Sequence, residues 1–131
     1  MRTWIVGVVV GTSVLAVSSC GSKLPEASSS VADRFYHAIE VHDAAAACEL
    51  LAPQTRDEVE QSAQASCSAA ILDEEIPAAG KVVELRKYGT QAYARMDGDV
   101  AFLAEFGDGW KIVAAACTSH GELPYDCKVE G

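Results

Sequence analysis

Phe102-Leu103-Ala104-Glu105-Phe106-Gly107-Asp108-Gly109-Trp110-Lys111-Ile112 reads as two strands folded back on each other about Gly-Asp-Gly. Large apolar side chains recur at every second position on both sides of the glycines, the period of a sheet with a buried face. Gly107-Asp108-Gly109 suits a three-residue loop closed by a glycine bulge. Upstream, Asp97-Gly98 marks another hairpin, a two-residue turn whose positions both take positive φ in the type I′ form. Four strands fit between the turn signals, at 81–88, 91–96, 99–106 and 110–117, and successive hairpins make them an antiparallel meander. The third carries Val100, Phe102, Ala104 and Phe106 on one face and Ala101 and Leu103 on the other, which predicts a central place in the sheet. Residues 118–131, with Gly121 and Pro124, read as an irregular tail.

Ahead of residue 81 the period is helical. Ser30-Val31-Ala32-Asp33 fits a capping box, and Val31, Phe35, Ala38, Ile39 and His42 then fall on one stripe. Asp43 is placed to cap a second helix over 44–52, which must end ahead of Pro53. Pro53 opens a third, to about residue 72, with Val59, Ala63, Cys67 and Ile71 four apart on one face. The fold class expected is α+β: N-terminal helices packed on a curved, four-stranded antiparallel meander.

The N-terminus reads as a leader. Arg2 precedes a run from Trp4 to Val17 without charge, shorter than the roughly 20 apolar residues that a spanning helix needs. Val17-Ser18-Ser19-Cys20 resembles the lipobox of bacterial lipoproteins, which implies cleavage before Cys20 and a diacylglycerol on its sulfur. An ordinary secretory cleavage after Ala16-Val17-Ser18 is the competing reading. The cysteine count separates the two: the chain has five, an odd number for an exported protein, and lipidation of Cys20 leaves four for disulfides. The organisation expected is a lipoprotein signal peptide at 1–19, a lipidated Cys20 and flexible linker over 20–30, and one domain at 31–131. That places the domain on the extracytoplasmic face of the cell membrane, held by its lipid.

Charge narrows the partners. Lys and Arg number ten against nineteen Asp and Glu, a formal net charge of −9. Nucleic acid binding needs a clustered basic surface, and no run of basic residues occurs. Zinc-ligand spacing is absent too, since His37 and His42 stand on different faces of one helix, so no metal and no cofactor is expected.

The remaining cysteines, Cys48, Cys67, Cys117 and Cys127, allow three pairings. Joining Cys48 to Cys67 and Cys117 to Cys127 closes two local loops, each contributing about 3 kcal/mol in the chain-entropy model. No serine stands in a Gly-x-Ser-x-Gly setting, and no glycine-rich loop joins a strand to a helix. Asp33, His37 and Glu40 cluster along one helix, an arrangement that a solvated face explains as well as catalysis does. Tyr93 and Arg95 share a strand face, and Trp110 flanks the last hairpin; these three are the candidate ligand or partner surface.

Three helices before a four-stranded meander, with the 102–112 hairpin, resemble the nuclear transport factor two-like cone of ketosteroid-isomerase-like and cystatin-like domains. More narrowly, the hairpin and the tail Pro124-Tyr125-Asp126-Cys127-Lys128-Val129-Glu130-Gly131 are similar to small lipoproteins of high-GC Gram-positive bacteria. The resemblance implies a curved sheet wrapped around helices with a hollow between them. Enzymatic relatives hold an acid or base inside the cone, and here the strand faces Ala92, Ala94, Met96 and Trp110, Ile112, Ala114, Ala116 offer no titratable group. The function expected is a membrane-anchored binding or interaction module rather than an enzyme, taking a small apolar ligand or an envelope protein. The alternative is a small cone-fold enzyme of the ketosteroid-isomerase or dehydratase type.

Overall fold

The computed structural model describes residues 27–131. The expected leader, the expected lipidation site Cys20 and the expected linker up to residue 26 lie outside the described residues.

Helices α1 (Ser28–Glu40), α2 (Ala44–Glu49), α3 (Pro53–Ala63) and α4 (Cys67–Ala70) lead, by a short 3-10 turn, into strands β1 (Val82–Tyr88), β2 (Gln91–Met96), β3 (Val100–Phe106), β4 (Gly109–His120) and β5 (Leu123–Glu130). The strands form one antiparallel sheet in the order β1-β2-β3-β4-β5, so the fold is α+β and β3 is central. Five strands stand where four were expected. The stretch that read as a tail is the fifth: β4 runs past Cys117 to His120, the chain reverses at Gly121 with φ +67°, and β5 returns with Cys127 opposite Cys117 and Val129 opposite Ala115. Pro124, which argued against a strand, is tolerated because β5 is an edge and the missing N–H breaks no ladder on its outer side.

The turns also differ from expectation. Asp97 and Gly98 connect β2 to β3, yet neither takes positive φ, so the turn is not type I′. It is held by Met96 N–H donating to the Asp99 carbonyl at 2.9 Å, and Gly98 packs closely against Ala78 and Ala79. The loop between β3 and β4 has two residues rather than three, because Phe106 pairs directly with Gly109, whose φ is +118°.

A β-bulge reshapes β4. Leu103 pairs with Ile112 and Phe102 with Ala114, which leaves Val113 as the extra residue. The inward face expected from alternation is therefore split: Trp110 and Ile112 belong to the main core, whereas Ala114 joins Cys117 and Cys127 in a second, smaller cluster.

Among the helices, α1 starts at Ser28 after Ala27, with no side-chain cap. The expected capping box does not form, because the helix begins two residues ahead of Ser30, which lies inside its first turn; Asp33 instead accepts the Val82 N–H at 2.8 Å and ties α1 to the start of β1. The apolar stripe runs through Val31, Phe35, Ala38 and Ile39, but His42 is exposed with φ +57° and ends the helix. Asp43 caps α2 through the Ala46 N–H. That helix stops at Glu49 rather than 52, because Leu51 forms a parallel bridge with Ile112, with Ala52 N–H to Ile112 O and Ile112 N–H to Leu50 O both at 2.8 Å. Pro53 opens α3 as expected. The long third helix is broken, however: Gln64 turns left-handed with φ +51°, and Ser66 caps a separate α4 through the Ala69 N–H. Ala63 is consequently exposed while Val59, Cys67 and Ile71 remain buried.

Disulfides join Cys48 to Cys67, tying α2 to α4, and Cys117 to Cys127, across β4 and β5. Helix α1 packs across β1 to β4, and the space between helices and sheet is filled by Phe35, Tyr36, Met96, Leu103 and Ile112, all fully buried.

Candidate interaction surface

The face of the sheet turned away from the helices follows from the register. In β2, Ala92, Ala94 and Met96 are buried against the helices, so Gln91, Tyr93 and Arg95 point outward. Arg86 lies opposite Tyr93 on one side and Phe102 lies opposite it on the other, which sets three large side chains in a row across β1, β2 and β3. The next residue in that row is Ala114, opposite Phe102, and Tyr125 of β5 packs with Phe102 against the cluster that Ala114 forms with Cys117 and Cys127. The rings of Tyr93 and Phe102 lie 5.7 Å apart, Phe102 and Tyr125 5.2 Å, and Tyr93 and Tyr125 6.3 Å, edge-on or tilted as ring quadrupoles prefer. The Arg86 guanidinium stands 5.6 Å from the Tyr93 ring centroid.

Glu84 organises the cations beside the rings. Its carboxylate meets Arg86 at 2.6 Å and Arg95 at 3.0 Å. The Arg95 hydrogen bond, followed by that of Arg86, holds the Glu84 carboxyl below its ordinary range. Two guanidinium groups against one carboxylate leave this patch positive on a domain that is otherwise strongly acidic. Next to it, Tyr88, Gln91, Tyr93, Phe102, Ala104 and Val113 line a shallow groove of about 390 Å³. Partial burial pushes the Tyr93 hydroxyl up, with the neighbouring Tyr125 adding to the shift.

Of the three residues expected to form a surface, Tyr93 and Arg95 are brought together here, and Trp110 is not. Trp110 faces the helices, 6 % exposed, with the Lys87 ammonium 5.2 Å from its ring. It borders a separate cleft of about 380 Å³ with Val31, Leu50, Asp108 and Lys111. Phe102, Tyr125, Arg86 and Glu84 were missed as members of the patch. The signal for Tyr125 was present, since Leu123, Tyr125, Cys127 and Val129 alternate at period two through the segment read as irregular. Of the helical cluster, Asp33 is committed to the Val82 amide, and His37 is exposed.

The helix side of the sheet does hold titratable groups, which the strand faces alone did not reveal. Tyr36 enters from α1, and Asp99 from the turn before β3. The Tyr36 hydroxyl donates to Asp99 Oδ2, which also accepts the Ala116 N–H at 2.9 Å, while Asp99 Oδ1 accepts the Cys117 N–H at 3.1 Å. Ala116 has φ +55°, and this left-handed residue aims two successive amides at one carboxylate. Asp99 thus accepts three hydrogen bonds and pins helix α1, the β2–β3 turn and β4 to one another.

Comparison with protein-family models, with curated proteins and with solved structures finds no match for this chain. The reading of the surface rests on its own chemistry. Among the described residues, no group of three or more His, Cys, Asp or Glu is placed to hold a metal ion, and no helix is long and apolar enough to cross a membrane.

Burial, and after it the hydrogen bond and charge of Asp99, raise the Tyr36 pKa far above the ordinary tyrosine value. In the unfolded chain the hydroxyl ionises near pH 10. Above that pH the unfolded state sheds a proton that the folded state keeps, so stability falls as pH rises, by about 1.4 kcal/mol per unit from this group. Below pH 10 the contribution is fully present. Urea unfolding at pH 9, 10 and 11 is expected to show that decline, and Tyr36→Phe is expected to flatten it by about the slope of one group. An equal slope in the variant would mean that Tyr36 ionises freely in the folded protein.

Proposed function

We propose that the chain is a lipid-anchored, extracytoplasmic binding module of the small lipoprotein type, and that it docks an envelope protein through the outer face of its sheet. The anchor is the diacylated Cys20, and the linker that follows holds the domain off the headgroups. The observation that carries the reading is the Tyr93–Phe102–Tyr125 array with Arg86 and Arg95 beside it. Tyrosine and arginine are the residue types that supply large contact area with a polar handle, and they dominate the energetics of protein interfaces. The local positive charge suits an acidic segment of the partner, with an apolar side chain for the groove. A greasy ligand inside a hollow is less well supported, since Phe35, Tyr36, Met96, Leu103 and Ile112 fill that space.

The cone-like architecture of nuclear transport factor two-like domains belongs to the same proposal. What supports it is an antiparallel sheet with its helices against one face and a bulge in β4 at Val113 to bend it.

Two experiments test the two halves. In a host with lipoprotein processing, Cys20→Ala is expected to move the protein from the membrane fraction to the medium; unchanged fractionation sinks the anchor. A photo-crosslinking residue at Tyr93 in the membrane-bound protein is expected to yield a defined protein adduct that the same residue at Gln61, exposed on α3, does not give. Arg95→Glu is expected to weaken that adduct at least tenfold. The same adducts from both positions would refute docking through the outer face.

A further inference from the structure

We propose that two copies of the chain associate edge to edge through β1, antiparallel, about a twofold axis at Leu85. The proposal goes beyond the docking of a partner on the outer face and does not depend on it. Strand β1 is a terminal strand of the sheet, bonded to β2 on one side only. Tyr88 and Gln91 close the two-residue turn at Gly89-Thr90, so they are a hydrogen-bonded pair, and alternation makes Arg86–Tyr93 and Glu84–Arg95 hydrogen-bonded pairs as well. Lys87 and Leu85 therefore direct their N–H and C=O groups away from the sheet, where another strand can meet them, and the register shift between Val82 and Glu84 ends the regular edge at its other side.

The side chains select a second copy as that strand. Set antiparallel about Leu85, the edges place Leu85 opposite Leu85, and Glu84 opposite Arg86 in both directions across the axis. These pairs fall at the closely approaching, non-hydrogen-bonded positions, where opposite charges on facing strands attract. A twofold axis makes the same complementarity count twice. A register shifted by two residues in either direction loses both pairs. Exposed apolar surface is available on the same strand: Val83 is 51 % exposed and Tyr88 64 %. Because the axis is perpendicular to the sheet, the outer faces of both copies lie on one side, with Tyr93 and Arg95 repeated across the join.

The test is the mass of the full-length protein, measured by native mass spectrometry and by sedimentation across 1–100 μM, with Glu84→Arg, Arg86→Glu and the double variant. The wild type is expected to be a concentration-dependent dimer. Each single variant, which sets like charges opposite each other, is expected to raise the dissociation constant at least tenfold, and the double swap to restore it. Circular dichroism and urea midpoints report separately on whether each variant is folded. A wild type that stays monomeric at 100 μM overturns the proposal. So does a dimer that the single charge reversals leave intact, or one that the double swap fails to rescue while folded.

Discussion

Replacing Asp99 with alanine is expected to cost about 3–5 kcal/mol of folding stability, a third or more of what a domain of this size commonly has. The side chain accepts from the Tyr36 hydroxyl and from the Ala116 and Cys117 amides, and its loss leaves three donors without their acceptor. Each orphaned buried donor costs about 1–3 kcal/mol. The total stays at the low end of that sum because Asp99 borders a cleft with Thr118 and Lys128 through which water can reach the two amides. Tyr36 is different, buried in the core at 2 % exposure, and its hydroxyl has no such access. Tyr36→Phe, which removes one donor and leaves the carboxylate two amides, is expected to cost only about 1–2 kcal/mol. The double variant is expected to be less destabilised than the sum of the singles, since both remove one shared hydrogen bond. Urea unfolding decides it: an Asp99→Ala midpoint within 1 kcal/mol of wild type, at unchanged m value, would show that the carboxylate is not what holds these elements together.

Opening the Cys48–Cys67 bridge by a double alanine substitution is the second large loss expected, about 3 kcal/mol. Residues 48 and 67 lie on short helices of six and four residues, whose other buried side chains are only Ala47 and Ala70. Such helices are far below the length at which a helix is stable alone, and alanine contacts bury little area. The bridge therefore supplies much of what fixes α4 against α2, and α4 is expected to lose protection from hydrogen exchange ahead of the sheet. Cys117 and Cys127 sit opposite each other in a registered hairpin whose ladder already holds them together. Removing that pair is expected to cost less. Equal stability of the Cys48→Ala/Cys67→Ala variant and the wild type in denaturant would contradict the argument.

Much of the architecture was legible residue by residue. Alternation placed β2 and β3 and set Ala92, Ala94 and Met96 on one face, which is buried; for β3, apolar on both faces, it did not say that Ala101 and Leu103 rather than Phe102 and Phe106 would turn to the helices. Asp43 and Pro53 marked helix starts by local hydrogen-bonding and φ preferences. Local rules failed where a distant group took over. Asp33 looked like a cap and became the acceptor for Val82, forty-nine positions away. The helix expected from 53 to 72 had a sound apolar stripe, and nothing in that stripe announced a left-handed Gln64. Gly121 and Pro124 read as the end of order, although at a sheet edge they are compatible with a hairpin.

What the sequence determined by itself is what depends on neighbours along the chain: the change from helical to strand period, the first three hairpins, the preference for cysteine pairs that close local loops, and an acidic surface. The tertiary structure alone decided the rest. The extra residue at Val113 parted Ala114 from Ile112, and Tyr125 of the unforeseen fifth strand came beside Tyr93 and Phe102. The left-handed Ala116 turned two amides toward Asp99, and Tyr36 reached the same carboxylate from 63 residues away. A bulge or a left-handed alanine costs only a few kcal/mol and has no residue type of its own, so it is chosen by the packing it permits. That choice is made between strands, where sequence spacing carries no record of distance.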